Sequence, residues 1–346
     1  MASIDHPVVI DGVLKEIGDR LFYETVRPIK QMPRRTMTGV FRLPKHQPVK
    51  RDVHYIQRKL SFTARRFPEV MVKISGGPKG MAHIKAHLEY ISRNGQLKLE
   101  SEDGAIWGGK DELKDLQDQW RYGGYPIVED TSKQAFNVIL SMPPGTDRAA
   151  VTVAAREFAH QEFRLNYSYV FATHDDEKHP HVHLCVKAMG KDGVRLNPRK
   201  ADLQRWREIF ADRLRANGIE ANATRRPVRG VTKRPRKQAV VHLEKRGFKS
   251  HHREALTQAA TAFIRNGNGS PFSNPLRPQI LRARQFVVAS WNAIGHALQG
   301  QGEGQLSSDV KAFVEALPPA ESIGERLEQQ LRAQINQKKK DKGVDR

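Results

Sequence analysis

The feature that most constrains this chain is the stretch from Tyr167 to Lys187. Two runs rich in apolar and β-branched residues, Tyr167–Thr173 and His181–Lys187, flank the polar segment Asp175–Pro180, a pattern that predicts two antiparallel strands joined as a hairpin. Alternate side chains of an extended strand share a face. His181 and His183 therefore project together, while Val182, Leu184 and Val186 enter the opposite, apolar layer. His174 ends the first run, and folding the hairpin back brings it beside that pair. Three neutral imidazoles with an open position make a divalent-metal site of catalytic type rather than a closed structural one. Asp176 is expected to accept the second ring N–H of one ligand and fix its tautomer. His179, before Pro180, either shapes the turn or faces solvent.

The 346 residues suffice for two average domains, or for one large domain with extensions. Lys and Arg number 59 against 38 Asp and Glu, a net charge of +21, which points to a polyanionic partner because each bound phosphate releases counterions. Hydrophobic residues make up 38%, low for a compact domain, so part of the chain is expected to be extended. Residues 1–67, with Arg34-Arg35, Lys50-Arg51, Arg58-Lys59 and Arg65-Arg66, read as a basic extension with little core of its own. The single cysteine, Cys185, excludes an intramolecular disulfide or a multi-cysteine zinc knuckle and fits a reducing compartment. No run approaches eighteen apolar residues and the first residues lack the features of a signal peptide, so a cytoplasmic location without membrane insertion is expected.

Further elements follow from periodicity and stop signals. Glu69–Ile74 reads as a strand, and Met81–Arg93 as a helix with Met81, Ile84, Leu88 and Ile91 at helical spacing and a left-handed stop at Asn94-Gly95. Phe136–Met142 reads as a strand, and Thr146 or Asp147 can cap a helix over Ala149–Phe163. Ala201–Ala216 is a third long helix ending at Asn217-Gly218. Between Lys187 and Ala255 there are 20 Lys and Arg against 7 Asp and Glu. Helical patterns recur near 255–264, 278–298 and 310–337, followed by the basic tail Lys338–Lys342.

A cation held by three histidines can polarise a phosphate oxygen, and a nearby tyrosine can then displace an ester oxygen from phosphorus. Tyr90, near the end of the first helix and beside its apolar face, is the prime candidate; Tyr122, Tyr125, Tyr167 and Tyr169 are equally admissible by residue type. Three ordered motifs carry a resemblance. Leu88-Glu89-Tyr90-Ile91-Ser92-Arg93, Ser141-Met142-Pro143-Pro144-Gly145-Thr146 and His174-x-Asp176-x-x-His179-Pro180-His181-x-His183 resemble the motifs of conjugative relaxases. The nearest group is the T-DNA border endonucleases and related plasmid mobilisation relaxases, of the HUH endonuclease class. The similarity spans about residues 70–237 and includes Thr224–Thr232.

The resemblance implies an α+β fold, a central antiparallel sheet flanked by helices, with a catalytic domain at 68–237 between the basic extension and a helical C-terminal region at 238–346. It implies a site- and strand-specific DNA transesterase in which Tyr90 attacks a scissile phosphate at a transfer origin, forms a 5′-phosphotyrosyl link and leaves a free 3′-hydroxyl. His174, His181 and His183 would hold Mg²⁺ or Mn²⁺. Asp176 would orient a ligand or help accept the tyrosine proton, Ser141 would contact DNA, and Asp147 would assist. Arg225, Arg226, Arg229, Lys233, Arg234 and Arg236 offer phosphate contacts, which position a strand without reading its bases. Implied partners are single-stranded DNA, accessory DNA-binding proteins, a coupling protein and a type IV secretion system, with export of the chain covalently bound to DNA. Residues 1–67 depart from the family pattern, and the region after about 240 matches no motif.

Two other readings compete. In replication initiators and single-strand transposases of the HUH class the tyrosine motif follows the histidine motif, whereas Tyr90 precedes it here. A non-catalytic basic accessory protein with structural histidines would bind DNA without forming an adduct.

Overall fold

The computed structural model describes residues 6–23, 53–129, 131–231, 238–248, 251–265, 277–321 and 323–344. In chain order the elements are α1 (His6–Tyr23), α2 (Val53–Ala64), β1 (Met71–Gly76), α3 (Met81–Ile91), β2 (Leu99–Ser101) and β3 (Ile106–Trp107). Then come α4 (Gly109–Tyr122), β4 (Ala135–Ser141), α5 (Arg148–Phe163), β5 (Tyr169–His174), β6 (His181–Lys187) and α6 (Lys200–Ala216). A short 3-10 turn (Arg226–Arg229) precedes α7 (Gln238–Lys245), α8 (His251–Arg265), α9 (Arg277–Gly300), α10 (Gly304–Glu315) and α11 (Ile323–Val344). The described residues divide into two compact units, one over 65–223 and the other over 6–23, 53–64 and 224–344.

In the first unit the six strands form one sheet in the order β1-β4-β6-β5-β2-β3, every pair antiparallel. The expected α+β class, an antiparallel sheet flanked by helices, is what the chain adopts. Alternation sorts the side chains. Val182, Leu184 and Val186 of β6, with Val138 and Leu140 of β4 and Tyr169 and Phe171 of β5, turn to the face covered by α5 and α6. Ala154, Ala155 and Ala159 keep α5 close to the strands, and Phe158, Phe163, Trp206 and Phe210 fill the layer edge-to-face. On the other face α3 and α4 cover Val170, Ala172 and Cys185 with Ile84, Leu88, Leu116 and Trp120. That cover stops short of β1, where Met71 and Lys73 are exposed.

The hairpin β5–β6 and helices α3, α5 and α6 lie within two residues of their expected bounds. Residues 99–122 carry elements that their charged sequence does not announce. They form β2, β3 and α4, whose buried Leu113, Leu116, Gln117 and Trp120 follow helical spacing inside a heavily charged sequence. Gly95 explains how α4 reaches α3. It sits at φ +86°, accepts the Gly109 amide at 2.9 Å, and has no room for a Cβ, which would stand 2.6 Å from the Gly109 carbonyl carbon.

The second unit is helical. Leu14, Leu21 and Phe22 of α1 and Ile56 and Leu60 of α2 share one buried cluster with Val228, with Val287, Trp291, Ile294 and Leu298 of α9, and with Val310 and Phe313 of α10. The described parts of the expected basic extension thus bury apolar side chains with the C-terminal region, and the observed units are drawn differently from a division at 67 and 237. The pattern expected near 310–337 is split into α10 and α11 around Pro318-Pro319, and α11 continues through the basic tail. Arg34, Arg35, Lys50, Arg51, Lys233, Arg234 and Arg236 lie outside the described residues. Among the described residues no helix is long and apolar enough to cross a membrane.

Phe158 is fully buried and touches three aromatic rings. Phe158→Ala is expected to cost about 3–5 kcal/mol of unfolding free energy, read by denaturant unfolding, because the edge-to-face rings collapse poorly into the cavity left behind.

Candidate active site

Register builds the site. The β5–β6 ladder sets His174 directly opposite His181 and Ala172 opposite His183, and the β4–β6 ladder sets Ser141 opposite His181 and Ile139 opposite His183. Directly paired residues share a face, so His174, His181 and His183 stand together on the side where α3 lies. Their ring centroids are 4.4–5.3 Å apart, and one ring nitrogen from each lies within 4.8 Å of the others.

Two backbone carbonyls select the tautomers. His174 donates from Nε2 to the Ile91 carbonyl at 2.8 Å, and His181 donates from Nδ1 to the His179 carbonyl at 2.9 Å. A carbonyl can only accept, so the lone pairs fall on His174 Nδ1 and His181 Nε2. Burial, followed by the neighbouring imidazoles His174, His181 and His87 and by Arg93, pushes the pKa of His183 down to about 3. His174 is also lowered, chiefly by burial. Neutral imidazoles with lone pairs aimed at one volume fit a divalent cation.

Tyr90 completes the constellation. It projects from α3 with its ring half exposed, centred 6.1 Å from His174 and 5.7 Å from His183. Of the tyrosines admissible by residue type, it is the one whose ring packs against the histidines. Just after α3, Arg93 and Asn94 adopt left-handed backbone, at φ 52° and 56°. This turn swings the Arg93 guanidinium back to 5.2 Å from the Tyr90 ring centroid, with Nη2 3.3 Å from His174 Nδ1 and in an ion pair with Asp176.

Two of these neighbours were missed from sequence. Arg93 stands three positions after Tyr90, and that spacing was the available signal. His87 stands three before it and stacks on its ring at 6.2 Å; burial and then His174 lower its pKa to about 4. Its Nε2 is buried without a hydrogen-bond partner among the described residues.

The other expected residues separate. Ser141 is buried beside His181, and its hydroxyl donates to the Met142 carbonyl at 3.4 Å. Asp176 does not take a ligand N–H; carbonyls do that, and its carboxylate faces Arg93. Desolvation is the largest single effect and raises its pKa, but the Arg93 charge and hydrogen bond, its own backbone amide and His174 together outweigh it, and the net shift is downward. Asp147 caps α5, accepting the Ala149 amide at 3.0 Å. His179 shapes the turn, with Nδ1 3.2 Å from the Met142 carbonyl. Arg148 holds the same turn through the carbonyls of His174 and Glu177 and the Asp175 carboxylate. Arg225, Arg226 and Arg229 belong to the other unit, where Arg225 donates to the Leu21 carbonyl at 3.4 Å and Arg226 is exposed.

Two outcomes follow. His87 and His183 ionise well below the ordinary 6.5 in the fold, so the unfolded chain takes up protons first and stability falls as pH drops from 6.5 toward 3. Thermal unfolding of chelator-treated protein should show this, and His183→Gln should flatten the dependence. Titration calorimetry should show that His181→Ala weakens Mn²⁺ binding by about 10-fold or more, since one of three ligands is lost; unchanged binding would remove the trio as the metal site.

Residues 109–219, which include the histidines but not Tyr90, match the family model described as relaxase, MobA/VirD2-like, nuclease domain. The chain is 31% identical over 187 residues to the T-DNA border endonuclease VirD2 of Agrobacterium fabrum, covering 48% of this chain and 42% of that protein. It is 31% identical to the protein of that name from Rhizobium radiobacter and 30% to that from Rhizobium rhizogenes, again covering 48% of this chain, and 44% and 43% of theirs. The chain thus spans less than half the length of these curated relatives. A solved structure described as "Molecular Basis of Vancomycin Resistance Transfer in Staphylococcus aureus" aligns at 15% identity and a TM-score of 0.30, over 46% of this chain and 98% of that one. The three histidines brought together on the sheet lie inside the stretch that matches this family model, so residues 109–219 are similar to the relaxase nuclease domain of the MobA/VirD2-like family.

Proposed function

We propose that this protein is a site- and strand-specific DNA relaxase that nicks a transfer origin and pilots the single strand during conjugative transfer. The observation that carries this reading is the packing of the half-exposed Tyr90 ring against His174 and His183. The Tyr90 oxygen attacks the scissile phosphorus, the bond to the 3′ oxygen breaks, and a 5′-phosphotyrosyl ester and a free 3′-hydroxyl result. Ester energy is kept in the link, so the reverse attack reseals the strand.

The residues divide the work. A divalent cation, Mg²⁺ or Mn²⁺, held by His174, His181 and His183 supplies charge neutralisation for the phosphate. Arg93 places a fixed positive charge over the phenol, which favours the approach of the phosphate. Asp176, kept ionised by Arg93, orients that guanidinium, and its lowered pKa suits it to positioning better than to accepting a proton. The phenolic proton leaves to solvent at the open side of the ring. Ser141, beside His181, contacts the strand near the cut. In the other unit, Arg225, Arg226 and Arg229 serve as phosphate contacts. Accessory DNA-binding proteins, a coupling protein, a type IV secretion channel and cytoplasmic action before export complete the reading.

Incubation with Mn²⁺ and single-stranded transfer-origin oligonucleotides is expected to give a covalent adduct on denaturing gels. Tyr90→Phe should abolish the adduct while leaving strand affinity within about 3-fold, since one hydroxyl is removed from an interface dominated by phosphate contacts. Adduct formation by that variant would place the nucleophile elsewhere. Strand binding by the parent protein with no adduct on any cognate oligonucleotide would favour the accessory-protein reading.

A further inference from the structure

Thirteen ångströms or so along β6 from His183, by the ~3.3 Å rise of a strand, the same face of the sheet ends at Lys187. Lys187 lines a cavity of about 370 Å³ together with Trp107, Trp120, Tyr125, Glu102 and Lys191. None of these residues takes part in the histidine site. Two of the lining residues carry donors with capacity to spare. Lys187 is 5% exposed, yet its ammonium, with three N–H groups, has one hydrogen bond among the described residues, to the Gly123 carbonyl at 3.1 Å. The Trp107 indole N–H is buried with no acceptor among the described residues. A buried ammonium with one hydrogen bond, even with the Glu102 charge acting on it, keeps N–H groups that an acceptor entering the cavity would satisfy.

The charge of the walls decides the class of ligand. Lys187 and Lys191 are balanced by Glu102 and Asp103, which also line the cavity, so a phosphate entering it would meet two carboxylates. Glu102 accepts the Tyr169 amide at 3.2 Å and lies 3.6 Å from the Lys191 ammonium, which leaves lone pairs for a further donor. Trp107, Trp120 and Tyr125 supply flat apolar surface. A neutral planar ring suits these walls if it offers a carbonyl to Lys187 or Trp107 and an amine to Glu102. Guanine and cytosine carry both groups; adenine lacks the carbonyl and thymine the amine.

We propose that this cavity is a base-reading subsite that takes one unstacked guanine or cytosine of the DNA strand, away from the cleavage centre. It rests on the reading of the chain as a single-strand DNA enzyme. Helices α3 and α4 cover the sheet between His183 and Lys187, so a strand reaches this cavity only around them and the base read here lies outside the scissile step. Unstacking costs a few kcal/mol in a duplex and less in a strand already single, which matches a single-stranded substrate.

The test uses the full chain and its own fluorescence, since two of its four tryptophans line the cavity. Deoxyguanosine and deoxycytidine monophosphates, thymidine monophosphate and inorganic phosphate are titrated separately. The expected result is quenching by the guanine and cytosine nucleotides at concentrations at least about 5-fold below thymidine monophosphate, and none by phosphate. Lys187→Met, whose fold is checked by thermal unfolding, should weaken the guanine and cytosine response by about 10-fold; if that variant fails to fold, Trp107→Phe carries the test, with a loss of several-fold.

Quenching by phosphate, equal response to the guanine, cytosine and thymine nucleotides, or unchanged affinity in folded variants would overturn the subsite. Covalent adduct formation on oligonucleotides without any response to the nucleotides would sink the subsite and leave the relaxase reading standing. Base-selective quenching without an adduct on cognate DNA would do the reverse.

Discussion

Cross-strand pairing of His174 with His181 is the constraint on which the rest depends. A shift of one residue in that ladder would carry His181 and His183 into the apolar layer under α5 and α6 and expose Val182, Leu184 and Val186. The register is therefore held by the whole apolar face. The same three aliphatic residues that anchor β6 in the core decide that its histidines converge on the other side. Building a polar cluster on a central strand is costly only if its polar atoms lack partners. The carbonyls of Ile91 and His179 supply two, and β6 is flanked by neighbours on both edges, so the cluster stands on the most constrained part of the sheet.

Against that rigid row stands a strained turn. Arg93 and Asn94 are consecutive residues other than glycine in left-handed backbone, at roughly 1–2 kcal/mol each. Packing of Ile84, Leu88 and Ile91 below, and the close meeting of Gly95 with Gly109 beyond, keep the chain in that path. The return is an arginine that touches the phenol, one histidine and the Asp176 carboxylate at once. A guanidinium suits this place because its planar fork serves several partners without losing charge.

Much of this was legible in residue order, and where legibility ended is physical. Alternation in His181–Lys187 was readable because a half-buried strand with one apolar face has a period of two, and the structure keeps that strand without change. α4 was not readable at a glance, since its charged residues outnumber the four that face inward. The contact expected between Asp176 and a ligand N–H is absent among the described residues for a different reason: backbone carbonyls accept from His174 and His181 instead. Nor could spacing reveal that Leu14, Leu21 and Phe22 share a core with residues more than two hundred positions away, because a helical stripe names a buried face without naming what buries it.

Cys185 occupies the sheet face between the histidines and Lys187, fully enclosed by α3 and α4, where burial pushes its thiol pKa upward. Sulfur chemistry needs the thiolate, so alkylating agents meet an inert group as long as the strands stay paired. The lone thiol is in effect a built-in gauge of sheet opening: its rate of alkylation reports how often β6 parts from the helices above it, in a protein with no other sulfhydryl to confuse the signal.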